Sequence, residues 1–298
     1  FEAPDANRER RLAKLRATVE KCARYGIKVW IFCIEPFNFE AGDTLGEAHP
    51  ELLGAPYYNK TAFCPSTEAG KRYIRESAES IFRAVPGLGG MLNISLGERG
   101  TTCLSSLSPL SGKERVNCPN CATLPKHRIL WNSLEAMMEG MRKASPDARL
   151  ISWLYIPNNA PFRARWVNDL AAHVPPGVIV QYNFESGGRV RQLGKDRAAG
   201  DYWLSYAGPS VCFSRFARTA RRHGTPLSAK LQAGGSLELE TIPSLPVPAL
   251  LYRKYRRMKR LGVSHCMQSW LFGSKPGILS EAAGLLSGWD FAHSEKEF

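Results

Sequence analysis

Amphipathic helical stretches alternate along this chain with short runs of β-branched and aromatic residues, and few folds accept that pattern. Residues 7–25 read as a helix, and Lys28–Glu35 (KVWIFCIE) as a buried strand. A long polar connection runs to about Thr67. There CPSTE supplies a hydroxyl and then an acid, the start signal for a helix over Glu68–Ala84. Gly90–Glu98 (GMLNISLGE) is the next expected strand, and a second long loop reaches about Pro125. Helix Lys126–Ala144, strand Leu150–Ile156, helix Ala164–His173 and strand Val178–Glu185 follow. The remainder reads as strand Tyr202–Tyr206, helix Cys212–His223, strand Leu227–Gln232, helix Ala249–Leu261, strand Ser264–Trp270 and helix Ile278–Leu286.

Near-continuous apolar strands separated by helices imply a parallel sheet covered on both faces. The long loops follow strands, whereas the returns from helix to strand are short. That asymmetry points to a (β/α)8 TIM barrel whose working face lies at the C-terminal ends of its strands. Six or seven strands can be counted. Because a helix opens the chain, the first one or two are expected upstream of residue 1, with residues 1–298 forming a single barrel domain. An open doubly wound sheet is the alternative, weakened by the lack of a Gly-rich phosphate turn between a strand and its helix.

The chain carries 40 Lys plus Arg against 27 Asp plus Glu, a formal charge of +13 that would attract a polyanion such as nucleic acid or an acidic glycan. The charge is spread over RERRLAKLR, FRARW, ARTARRHG and YRKYRRMKR, each on an expected helix, which suits a solvated exterior better than a nucleic-acid groove. No apolar run is long enough to span a bilayer, so no membrane partner is expected. The N-terminus has no apolar leader; export is slightly favoured over the cytoplasm and the compartment is otherwise open.

Three expected strands end in glutamate: Glu35 in IFCIEP, Glu98 in NISLGERG and Glu185 in QYNFESGG. In a barrel such residues point into the mouth. Glycoside hydrolysis needs two carboxyl groups, one protonated to release the leaving oxygen and one ionised as nucleophile or base. Glu98, between Gly97 and Gly100, is the first choice for the acid. Glu238, in the loop after LSAKLQ, competes with Glu185 for the second position. Glu35 is expected to bind a sugar hydroxyl. Rings at Trp153, Tyr155, Tyr182 and Trp270 could stack on a sugar, with Asn38, Asn158, Asn183 and Gln268 as polar partners.

These stretches carry a resemblance. YGIKVWIFCIEP, AHPELLGA, FCPSTEAGKRYI and NISLGERG look like the middle of family 20 glycoside hydrolases and their relatives. ELETIPSLPVPALLYRKYRRMKRLGV and MQSWLFGSKPG are similar to the closing part of bacterial glycosidases of that kind. The resemblance implies a TIM barrel and gives Glu98 the general-acid position. It also implies an Asp immediately before that Glu, to orient a substrate acetamido group. Gly97 stands there instead, so a two-carboxylate mechanism with Glu238 as second group becomes the expectation.

Eight cysteines remain to be placed. Cys33 and Cys266 lie in expected strands and read as small buried apolar residues. Cys103, Cys118 and Cys121 fall in the loop after Glu98, the last two as Cys-Pro-Asn-Cys, a spacing that suits a structural zinc site completed by His127 or Cys64. A disulfide and free thiols are the alternatives. No cofactor is expected in the chemistry itself. Three functions thus stay open: a glycosidase, a carbohydrate-binding barrel without catalysis, and a basic nucleic-acid-associated α/β protein.

Overall fold

The computed structural model describes residues 7–97, 99–107, 115–156, 165–200, 203–234, 245–269, 276–292 and 294–298. The chain divides into two compact units, residues 1–153 with 173–179, and residues 154–172 with 180–298.

In the first unit, helix α1 (Arg8–Ala23) leads to strand β1 (Trp30–Cys33) and a short helix α2 (Thr44–Ala48). A hairpin of β2 (Leu53–Tyr57) and β3 (Lys60–Phe63) then precedes α3 (Glu68–Ala84), β4 (Gly90–Gly97), α4 (Lys126–Ala144) and β5 (Arg149–Tyr155), which ends just inside the second unit. The start of α3 is the one expected from CPSTE: the Thr67 hydroxyl accepts a hydrogen bond from Gly70 N. Gly70, Ile74, Ala78 and Phe82 repeat every fourth residue and form its buried face. Burying a side chain the size of Phe82 contributes about 1.5–3 kcal/mol. Helix α4 crosses α3 at Gly140, where a Cβ would stand 2.1 Å from the Arg75 carbonyl oxygen. The bare residue sets the approach of the two helices.

The second unit contains α5 (Arg165–Asp169), β6 (Ile179–Asn183), the hairpin β7 (Arg189–Gln192) and β8 (Lys195–Ala198), α6 (Val211–Arg222), β9 (Leu227–Leu231), α7 (Pro248–Leu261), β10 (His265–Gln268) and α8 (Ile278–Gly288). Ser210 caps α6 by accepting from Phe213 N. Helix α7 has Pro248 at its first turn and Gly262, left-handed at φ 75°, at its end.

The strand order is β1-β4-β5-β6-β9-β10, with β1–β4, β6–β9 and β9–β10 recorded as parallel pairs. The expected alternation of helices and parallel strands is therefore present. The order has two ends, β1 and β10, so among the described residues this is a six-stranded sheet and not a closed eight-stranded barrel.

Four expectations need correction. Residues 203–206 form no strand; the Trp203 carbonyl accepts instead from the Lys254 ammonium. The loop before Thr67 contains a hairpin, turned at Tyr58 with φ 52°. A second hairpin turns at Leu193-Gly194, both at positive φ. Cys266 is exposed, not buried, because its strand lies at the end of the sheet order. Among the described residues, no helix is long and apolar enough to cross a membrane.

Candidate functional site

The first unit gathers polar groups where β1 and β4 end. Asn93, fully buried on β4, accepts from Glu35 N through Oδ1 and donates to Glu35 O through Nδ2, both at 2.8 Å. One side-chain amide thus satisfies both main-chain polar groups of the residue beyond β1, and the chain there is fixed as firmly as in a sheet. Asn93 Nδ2 also reaches Ser95 Oγ at 3.3 Å, and Ser152 of β5 donates to the same oxygen at 2.9 Å. Thr101 donates to the Ser95 carbonyl at 2.8 Å, which draws the segment after β4 back onto the strand.

Glu35 borders a cavity of about 510 Å3, which Trp30, Ile31, Cys33, Tyr73 and Ser77 also line. That size suits a small-molecule site. Burial raises the Glu35 pKa above its ordinary 4.5, opposed by a hydrogen bond from the Phe37 main chain. Burial, and then the Glu35 charge, push the Cys33 thiol up to about 12 and raise the Tyr73 phenol in the same way. The cavity therefore makes the Glu35 proton harder to remove than that of an exposed carboxyl. Asn38 lies nearby in sequence: its Oδ1 is buried and meets no donor among the described residues, and its amide nitrogen packs against Gly100.

In the second unit, Glu185 is wholly buried beyond β6. Its Oε1 accepts from Lys254 Nζ at 2.6 Å and from Gln232 N at 3.0 Å. Lys254 spends its other two protons on the Trp203 and Gln232 carbonyls, at 3.0 and 3.2 Å. Glu185 Oε2 and both polar atoms of the Gln232 side chain have no partner among the described residues. Lys254 belongs to YRKYRRMKR, a run that reads as a solvated helix face; the spacing of Leu251, Tyr255 and Met258 around it is the signal of its burial.

The other expected site residues are placed as follows. Trp153 is fully buried, and Tyr155 and Tyr182 nearly so, Tyr182 stacked on Phe216 with centroids 5.0 Å apart. Asn183 is buried and donates to Ser186 Oγ at 3.2 Å. Gln268 is exposed on β10, donates to the Tyr255 hydroxyl and borders a separate cavity of about 470 Å3. Glu98, Glu238, Asn158 and Trp270 lie outside the described residues.

Four thiols come together in the first unit. Cys64, Cys103, Cys118 and Cys121 are buried, with all four sulfurs within 4.8 Å of one another. Such a cluster has the geometry of a ligand set for a structural metal ion. His127 is not part of it; its ring stacks on His173 at 4.2 Å.

No family model and no curated protein matches this chain, so the likeness to family 20 gains no support from either. Among solved structures, the chain is similar to alpha-L-fucosidase isoenzyme 2 from Paenibacillus thiaminolyticus, with TM-score 0.43 and 18% identity over 91% of this chain and 38% of that one. It is also similar to the apo structure of a beta-glucosidase, with TM-score 0.46 and 14% identity over 93% of this chain and 77% of that one. The chain spans well under half the length of the fucosidase. At these values the likeness carries no weight for activity or substrate.

Proposed function

We propose that this chain is a glycoside hydrolase that cleaves its substrate with paired carboxyl groups. The observation that carries this reading is the grip of Asn93 on Glu35, which fixes a half-buried acid of raised pKa at the ends of two parallel strands. Parallel α/β folds work at that end of their strands, and Glu98 is the next residue after β4. In this reading Glu98 protonates the leaving oxygen. Glu238 or Glu185 supplies the second carboxylate, as nucleophile or as the base that activates water. Glu35 binds a sugar hydroxyl, with Asn38 as a further polar contact. The net charge of +13 favours an acidic glycan among carbohydrate substrates.

Turnover of a panel of chromogenic glycosides tests this directly. Glu98→Gln should lose about 10²- to 10⁴-fold in kcat on substrates with poor leaving groups, and far less on activated ones that need no proton. Glu238→Gln and Glu185→Gln, compared side by side, should identify one of the two as essential. Full activity in Glu98→Gln would remove the acid assignment. Saturable sugar binding without turnover on any member would leave a binding protein instead.

A further inference from the structure

We infer that Cys64, Cys103, Cys118 and Cys121 hold one Zn2+ ion as a closed tetrathiolate, which fastens the connection between β4 and α4 to the β2–β3 hairpin. Cys64 Sγ stands 3.7 Å from Cys118 Sγ and 3.8 Å from Cys121 Sγ. A tetrahedral site with metal–sulfur bonds of about 2.3 Å has sulfur–sulfur edges of about 3.8 Å. A disulfide would need about 2.05 Å. All four sulfurs lie within 4.8 Å of one another, a spacing that a single ion at their centre could bridge. Four soft thiolates in that arrangement select zinc over the hard cations, which take oxygen.

The surroundings support charged sulfurs. Ala55 N donates to Cys103 Sγ at 3.3 Å. Asn132 Nδ2 donates to Ser66 Oγ, which lies 3.2 Å from Cys121 Sγ. A Cys121 thiol donates to Ser66 Oγ in this contact; once it is a metal-bound thiolate, the Ser66 hydroxyl would donate to it instead while still accepting from Asn132. Such outer partners orient metal ligands and damp their charge. A turn in which Cys121 N and Ala122 N both donate to the Cys118 carbonyl brings the paired cysteines to one side. Gly54 makes room for the cluster: a Cβ there would stand 2.3 Å from Cys103 Sγ and 2.8 Å from the Ala62 carbonyl oxygen.

The ligands come from three places far apart in sequence: the end of β3, the turn that begins at Cys103, and the turn before α4. Four protein ligands leave no open position, so the ion does no chemistry. Its effect is to hold the segment that follows β4. This inference does not rest on the glycosidase reading, and none of its readouts involves turnover.

Elemental analysis of the protein purified under reducing conditions should find one zinc per chain. Replacement by Co2+ should give intense thiolate-to-cobalt charge-transfer bands and the strong visible bands of a tetrahedral site. Cys118→Ser should lose the zinc, and Cys22→Ser, altered on α1, should retain it. Ser66→Ala should bind about tenfold more weakly, as loss of an outer partner does. If Cys118→Ser does not fold, the cobalt spectrum of the unaltered protein decides. The inference is overturned if the reduced protein neither contains nor takes up zinc or cobalt. A Cys118–Cys121 disulfide in the native peptide map, or unchanged affinity in Cys118→Ser, would overturn it equally.

Discussion

Lys254 Nζ lies 2.6 Å from Glu185 Oε1, and neither side chain is exposed to solvent. Removing two charges from water is expensive, so the pair persists only because every ammonium proton has an acceptor. Lys254→Met should therefore cost about 3–5 kcal/mol, by leaving a carboxylate buried without its partner. Adding Glu185→Leu to it should restore part of that loss, with a coupling of about 0.5–3 kcal/mol. Urea unfolding of the two single variants and the double variant measures this. Strict additivity would mean the two groups do not stabilise one another.

The raised pKa of Glu35 makes a pH-dependent prediction. The folded protein holds the proton more tightly than the unfolded chain, so Glu35 favours folding fully below its unfolded pKa. That contribution is lost as pH rises through the higher folded value. Glu35→Gln is uncharged throughout and keeps the main-chain bonds to Asn93. Its melting temperature should therefore gain on that of the unaltered protein as pH climbs above about 4.5, and the difference should level off once Glu35 is ionised. Parallel curves from acid to neutral pH would show that the fold does not raise the Glu35 pKa.

Much of this was legible in sequence wherever a residue's neighbours determine its structure. The Thr67 cap, the four-residue repeat of α3 and the parallel strands all follow from local pattern. The hairpin at Leu193-Gly194 was not, because RVRQLGKDRA offers neither an apolar alternation nor the Asn-Gly or Asp-Gly pair that usually marks such a turn. Three ligands of the cysteine cluster were readable from their spacing. Cys64 could only be left level with His127, since nothing local tells which distant residue a fold brings near. Lys254 was only half legible: Leu251, Tyr255 and Met258 around it mark a buried face, but its five cationic neighbours in YRKYRRMKR suggest solvent, and its carboxylate partner lies 69 residues away.

Ser210 offers a contained test of helix capping. It is wholly buried, and its hydroxyl accepts from Phe213 N at 3.1 Å. In Ser210→Ala that amide loses its acceptor in a place water does not reach, so the change should cost about 1–2 kcal/mol. In a chain of this size that lowers Tm by roughly 2–4 °C per kcal/mol. Ser210→Thr keeps the acceptor and should recover most of the loss. Equal melting of Ala and Thr variants would point to packing, not capping, as the role of this residue.

At the crossing of α3 and α4, two adjacent residues set a surface effect against a packing one. Arg75 Nε pairs with Glu139 Oε2 at 2.9 Å, but both side chains are substantially exposed, so Glu139→Ala should cost less than about 1 kcal/mol. Gly140, the next residue, is different. In an open helix, replacing glycine by alanine would stabilise by about 1 kcal/mol. Here the added methyl would meet the Arg75 carbonyl oxygen at 2.1 Å and the Ala78 Cβ at 3.0 Å, and main chain cannot swing aside as the end of a long side chain can. Forcing the helices apart should cost about 1–3 kcal/mol and outweigh the gain in helix propensity. Gly140→Ala is thus expected to melt below the unaltered protein, and Glu139→Ala close to it. The reverse order, read by calorimetry on both variants, would mean that the helices are not in contact at this residue.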